Sequence, residues 1–124
     1  MRSIGIDAVD IKRFIHWHKY TPAQLSKIYT EHEIIYCSAP VNNQVKAQRF
    51  AVRYAAKEAT YKALCSAGLI SCSFLSFAHM CELVPSANKA PHINLKLTQN
   101  IGAIQLHCSL THTETTAVAV VILI

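Results

Sequence analysis

The chain opens on Ser3-Ile4-Gly5-Ile6, a short apolar run with β-branched residues, which predicts a buried strand over residues 3–6 that delivers Asp7 at a strand-to-loop corner. Thr21-Pro22-Ala23-Gln24 and Thr30-Glu31-His32-Glu33 each set a threonine three positions ahead of Gln or Glu, and the first adds proline at the opening helical position. Two short capped helices follow from that pattern. Residues 42–66 contain no Gly or Pro and are rich in Ala, Lys, Gln and Arg, with Phe50, Tyr54, Lys57, Tyr61 and Leu64 on one stripe at spacings of three and four. This is the main helix. After Gly68 the texture changes, and residues 73–77, 92–97, 104–110 and 116–124 read as strands, with apolar–polar alternation clearest in the second and third. Turn-rich segments, Pro85-Ser86-Ala87-Asn88 and Gln99-Asn100-Ile101-Gly102, separate them, so the last third reads as an antiparallel meander. Helices early and strands late predict an α+β fold, a long helix packed on an antiparallel sheet, with residues 1–124 as one domain.

Composition narrows this further. Hydrophobic residues make up 52% of the 124 and charged residues 15%, the reverse of the balance that keeps a chain disordered. The longest apolar run, 117–124, has eight residues, whereas a membrane helix needs about 20, so it reads as a buried strand and no membrane association is expected. An aspartate at position 7 breaks the apolar run that a secretory signal would need, and the cytoplasm is predicted. Five cysteines without a C-x-x-C pair argue against a zinc ribbon or a full disulfide framework and predict reduced core thiols. The net charge is +5, and its distribution matters more than its size: residues 1–62 carry ten basic and five acidic side chains, residues 63–124 two of each. The first half therefore faces an anion, whether phosphate, nucleic acid or an acidic protein.

Individual residues leave alternatives open. Asp7 and Asp10 read as turn or N-cap aspartates as readily as metal ligands. Glu58 and Lys62 stand at i, i+4, the spacing of an ordinary surface ion pair. The nearest histidine pairs, His16 with His18 and His107 with His112, lack a third ligand at metal spacing. His112 follows Ser109-Leu110-Thr111 at a strand end where polar groups can meet a ligand. Basic residues without interleaved aromatics on a β platform argue against a sequence-specific RNA reader.

Together the fragments form a pattern. Gly5-Ile6-Asp7-Ala8-Val9-Asp10-Ile11-Lys12-Arg13-Phe14, then Arg53-Tyr54-Ala55-Ala56-Lys57-Glu58-Ala59-Thr60-Tyr61-Lys62, then Ser109-Leu110-Thr111-His112 before the final apolar run, resembles the holo-acyl-carrier-protein synthases, the small 4'-phosphopantetheinyl transferases. The resemblance spans nearly the whole chain. It implies an enzyme of fatty acid biosynthesis that moves phosphopantetheine from coenzyme A to a serine of apo-acyl carrier protein and releases adenosine 3',5'-bisphosphate. It also implies a Mg2+ ion held by Asp7 and Glu58, with Glu58 as base and Lys62 following the phosphates. Arg53, Lys57, Ser109 and His112 are implied to bind the coenzyme, and Arg13 to dock the acidic carrier. The family's homotrimers, with active sites between subunits, would explain an apolar second half. Two features depart from the family's usual pattern: Cys65-Ser66-Ala67-Gly68 replaces a Gly-Thr-Gly-rich turn, and Thr113 and Asp10 stand where acidic and glutamate residues are usual. The competing reading is a non-enzymatic basic module that binds acidic proteins or nucleic acid.

Overall fold

A computed structural model describes residues 1–85 and 90–124. The chain runs from β1 (Ser3–Asp10) through two 3-10 turns (Ile11–Phe14 and Trp17–Lys19) to α1 (Pro22–Leu25), α2 (Glu31–Ser38) and α3 (Asn43–Ser66). It continues as α4 (Phe74–Ala78), β2 (Cys81–Val84), β3 (His92–Leu95), β4 (Leu106–His112) and β5 (Thr116–Leu123). Two antiparallel sheets result, one ordered β1-β5-β4 and one pairing β2 with β3. This is the α+β fold that the pattern of elements predicts.

The three-stranded sheet turns one face to α3. Alternation sends Ser3, Gly5, Asp7 and Val9 of β1 inward beside Ala117, Ala119, Val121 and Leu123 of β5. On α3, Ala47, Ala51, Ala55, Ala59 and Ala63 recur every four residues and are all buried. Small side chains on both surfaces let the two backbones close up. At Gly5 no other residue fits, because a Cβ there would lie 1.9 Å from the carbonyl oxygen of Ala59. Ser3 Oγ reinforces the approach by donating to Ala63 O at 2.6 Å.

The helix ends are explained locally. Asn42 caps α3 by accepting from the amides of Gln44 and Val45, and both predicted capping boxes form, Thr21 with Gln24 and Thr30 with Glu33. Gly68 at φ +73° closes α3, with the Leu69 amide donating to Leu64 O and the Gly68 amide to Cys65 O. The altered Cys65-Ser66-Ala67-Gly68 turn thus keeps its glycine at the position that needs a left-handed backbone.

Three expectations fail. β1 continues to Asp10, so Asp7 lies mid-strand on the inner face and not at a corner. Residues 73–77 are helical: Ser73 Oγ accepts from the Ser76 amide, and this cap outweighs the apolar run's strand propensity. The meander also breaks, since β3 pairs with β2, a strand the sequence pattern did not reveal. The turn read at Pro85-Ser86-Ala87-Asn88 lies, apart from Pro85, outside the described residues. All five cysteines are free, and burial pushes the thiols of Cys37 and Cys81 up to about 12. Among the described residues no helix is long and apolar enough to cross a membrane.

Gly5→Ala should destabilise the fold by at least about 1–3 kcal/mol, the range for overpacking, because backbone and not a flexible side chain opposes the new methyl. Urea denaturation monitored by circular dichroism measures it; a midpoint equal to the parent's would remove the close approach as a constraint.

Candidate active site

The contact of β1 with α3 brings three charged side chains together. Asp7 reaches inward from β1, and Glu58 and Lys62 stand one turn apart on α3 beside Ala59 and Ala63. Lys62 Nζ lies 3.0 Å from Asp7 Oδ1 and donates to the carbonyl of Ile6 at 3.0 Å. Asp7 is buried and its Oδ2 has no hydrogen-bond partner. An uncompensated carboxylate oxygen in that position costs free energy unless a proton or a cation meets it.

Glu58 registers the same strain. Partial burial, a hydrogen bond shared with Asp7 and repulsion from the Asp7 charge raise its carboxyl from the usual 4.5 to about 7, against the opposing pull of Lys62 and Arg13. The pair therefore suits a small hard cation: two carboxylates, one with a free buried oxygen, offer the ligand set Mg2+ takes when phosphates and waters complete its shell. No group of three or more His, Cys, Asp or Glu suited to a metal occurs among the described residues.

A second constellation lies on the other flank of α3. Arg49 and Arg53, one turn apart, each hold a guanidinium 4.0 Å from the centroid of the Tyr36 ring. Arg49 Nη1 also donates to Tyr36 O at 2.7 Å, while Arg53 Nη1 donates to Arg49 O. Arg53 is buried and its Nε has no partner among the described residues. These side chains, with Gln48, Pro85, Pro91 and His112, line a cleft of about 330 Å³. Two guanidiniums and an imidazole on apolar walls suit a phosphorylated nucleotide.

The remaining implied residues divide. Arg13 is exposed on the first 3-10 turn, donates to Tyr54 Oη at 3.0 Å and sits 4.7 Å from that ring's centroid. Lys57 must be withdrawn from the coenzyme set. It is fully buried, 2.6 Å from Glu33 Oε1, and donates to the carbonyls of Ala78 and Cys81, so every proton on its ammonium is engaged. Glu33 in turn accepts from the Leu83 and Thr30 amides. The pair staples α2, α3 and β2 together. Ser109, three residues from His112 on one strand, faces the opposite side of the sheet and does not line the cleft in this chain. Sequence reading missed Glu33, Tyr36 and the site role of Arg49; the i, i+4 arginines after an exposed helix start were a signal, but their ring partner is 13 residues from Arg49 and carried none.

A fold of this topology, with a buried carboxylate pair on one flank of its main helix and an arginine-lined cleft on the other, has known counterparts. A sequence profile of the 4'-phosphopantetheinyl transferase superfamily matches residues 3–121, which sets the class. The chain is 35% identical over 125 residues to the holo-[acyl-carrier-protein] synthase of Geotalea daltonii, covering 96% of this chain and 94% of the relative. It is 33% identical over 112 residues to that of Protochlamydia amoebophila, covering 88% and 86%. Among solved structures, the synthase of Bacillus anthracis str. Ames in complex with CoA (3',5'-ADP) superimposes with a TM-score of 0.74 at 25% identity, covering 98% of this chain and 94% of that one. The Helicobacter pylori synthase in complex with coenzyme A gives 0.68 at 29% identity, covering 97% and 98%. The chain belongs to the holo-[acyl-carrier-protein] synthases, phosphopantetheinyl transferase enzymes. The non-enzymatic basic module finds no support.

Glu58 should titrate near pH 7 in the metal-free protein, visible in the carbon-13 shift of its carboxyl. Because its folded value is raised above 4.5, the stability it contributes is fully present below pH 4.5 and is lost as pH rises through about 7. The thermal midpoint should therefore fall over that window, less steeply in Glu58→Gln, and Asp7→Asn should lower the titration midpoint. An ordinary Glu58 midpoint near 4.5 would refute the shared carboxylate site.

Proposed function

We propose that the protein transfers 4'-phosphopantetheine from coenzyme A to a serine hydroxyl of apo-acyl carrier protein in a Mg2+-dependent reaction that releases adenosine 3',5'-bisphosphate. The observation that carries this is the buried, unpartnered Asp7 Oδ2 beside a Glu58 whose carboxyl is raised to about 7, with Lys62 bound to the same aspartate. Asp7 and Glu58 would hold the magnesium, which when bound supplies Lewis-acid stabilisation of the charge on the coenzyme pyrophosphate.

The chain's own groups account for the rest. Glu58 accepts the serine proton as the serine oxygen bonds to the β-phosphorus, and a carboxylate poised near neutral pH is matched to that transfer. The bond from that phosphorus to the bridging oxygen breaks, and adenosine 3',5'-bisphosphate leaves with the electron pair. Lys62, whose side chain is half exposed, can turn its ammonium from Asp7 toward the phosphoryl oxygens as charge develops. Arg49, Arg53 and His112 receive the nucleotide, and Arg13 meets the acidic carrier. Five free thiols suit a reducing compartment, the cytoplasm.

We further infer that the site is shared between copies of the chain in a homotrimer. Asp7 pairs with Ala119, which pairs with Leu110, a wall of the arginine-lined cleft. Those two interstrand steps put about 10 Å between Asp7 and that wall, and α3 lies over β1 and β5 between them. Within one chain the helix therefore stands between the two sites. The outward face of the same sheet carries Ile4 and Ile6, 52% and 59% exposed, beside Val118, Val120 and Ile122, an apolar surface for a neighbouring copy that brings its own cleft to Asp7.

With apo-carrier, coenzyme A and Mg2+, intact-protein mass spectrometry should show the carrier gain one phosphopantetheine. Asp7→Ala and Glu58→Ala should each lower the rate about 10²-fold or more. Lys62→Ala should lose about 10²–10³ in turnover, and Lys62→Arg should restore only part of it. Near-parental rates in Asp7→Ala would sink the magnesium assignment. Mixing inactive Asp7→Ala with His112→Ala protein, after dissociation and reassembly, should regain activity if sites are shared; no recovery from mixed assemblies would confine the site to one chain.

A further inference from the structure

Tyr54 is absorbed neither by the carboxylate site nor by the arginine cleft, yet it touches a residue that the reaction uses. Its ring is 6% exposed and is held at edge contacts by Phe14 at 5.4 Å and Phe74 at 5.4 Å, with Trp17 at 6.0 Å. A ring caged on three sides cannot swing, so its hydroxyl is a fixed point at the protein surface. That hydroxyl accepts from Arg13 Nη2 at 3.0 Å, and the Arg13 guanidinium lies 4.7 Å from the same ring's centroid. An exposed arginine ordinarily loses rotamer freedom when a partner captures it. Here much of that ordering is already done, and among the described residues the guanidinium has one hydrogen-bond partner, which leaves its other N–H donors for the carrier.

The position matters as much as the rigidity. Tyr54 is one helical turn before Glu58 on α3, and Arg13 is hydrogen-bonded to the Tyr54 hydroxyl. A guanidinium fixed there meets the acidic carrier within reach of the group that takes the serine proton. We propose that Tyr54 is a positioning residue for carrier docking: through its hydroxyl and ring face it presets Arg13, so that the acidic docking surface of the carrier is captured in the register that brings the serine to Glu58. This rests on the transferase reading above and adds to it the residue that orders the carrier contact.

The test is Tyr54→Phe, which keeps the ring and its cage and removes only the oxygen. One hydrogen bond to a charged group predicts a carrier KM raised about threefold to tenfold, with kcat and the coenzyme A KM within about twofold of the parent. In an Arg13→Ala background the same substitution should change the carrier KM no further, since the two side chains act as one unit. A merely structural tyrosine would lower the thermal midpoint and raise the KM in both backgrounds, and that result overturns the proposal. Binding of fluorescently labelled apo-acyl carrier protein without coenzyme A keeps the two readings apart. A parent that binds carrier but transfers nothing refutes the transferase reading alone, whereas Tyr54→Phe protein that binds carrier as tightly as the parent refutes the positioning role.

Discussion

Everything at the carboxylate site follows from one steric fact: β1 and α3 touch through atoms of their backbones, with Gly5 against the carbonyl of Ala59. Ordinary helix-on-sheet packing keeps bulky side chains between the two layers. Here alanines at every fourth position of α3 and small residues on β1 and β5 remove that spacer. Asp7, two residues beyond Gly5 on the same face, is thereby pressed into the flank of the helix where Glu58 and Lys62 emerge. A larger separation would let water between the two carboxylates and return Glu58 to ordinary behaviour. The strand's glycine thus determines an electrostatic property of the helix.

The structure treats its two sets of buried charge in opposite ways. Lys57 and Glu33 have no exposed surface to speak of, but every donor and both carboxylate oxygens are engaged, so the desolvation of two ions is offset by mutual attraction and four further hydrogen bonds. Asp7 and Glu58 carry like charge, one oxygen has no partner, and Lys62 compensates only one of the two. The first arrangement is closed and can only hold the fold. The second leaves a buried carboxylate oxygen without a partner among the described residues, and the cation site proposed above rests on that oxygen. Arg53 repeats the logic on the other flank: a buried cation whose Nε lacks an acceptor, lining a cleft.

How far these distinctions were legible in the sequence depends on their range. The capping boxes at Thr21 and Thr30, the long helix and the β4–β5 strands rest on neighbours within four residues or on simple alternation, and they form as read. The Asp7–Glu58–Lys62 grouping was reached through resemblance, because 51 positions separate the carboxylates and no local pattern links them. Lys57 was misplaced for the same reason. It adjoins Glu58 in a motif, but neighbours on a helix point about 100° apart, and its partner Glu33 lies on another helix. Ser109 and His112 differ in parity: a three-residue step on a strand puts them on opposite faces. α4 was taken for a strand because its apolar run outvoted one serine cap, and β2 was missed because three buried residues followed by a half-buried one carry no alternation.

Charge placement gives the basic first half its meaning. Ten cations in 62 residues suggest a single electropositive surface, yet the fold distributes them by what each must meet. Lys57 is spent inside the core, Lys62 balances a carboxylate, Arg49 and Arg53 stack on Tyr36 in the cleft, and Arg13 stands outside, fixed by Tyr54. α3 carries four of these five along a helix about 36 Å long. It also lies over the sheet between the carboxylates and the cleft. In the shared-site reading proposed above, a helix that supplies both halves of a site and stands between them leaves the isolated chain incomplete, and the exposed Ile4 and Ile6 face is where a second copy would restore contact between the halves.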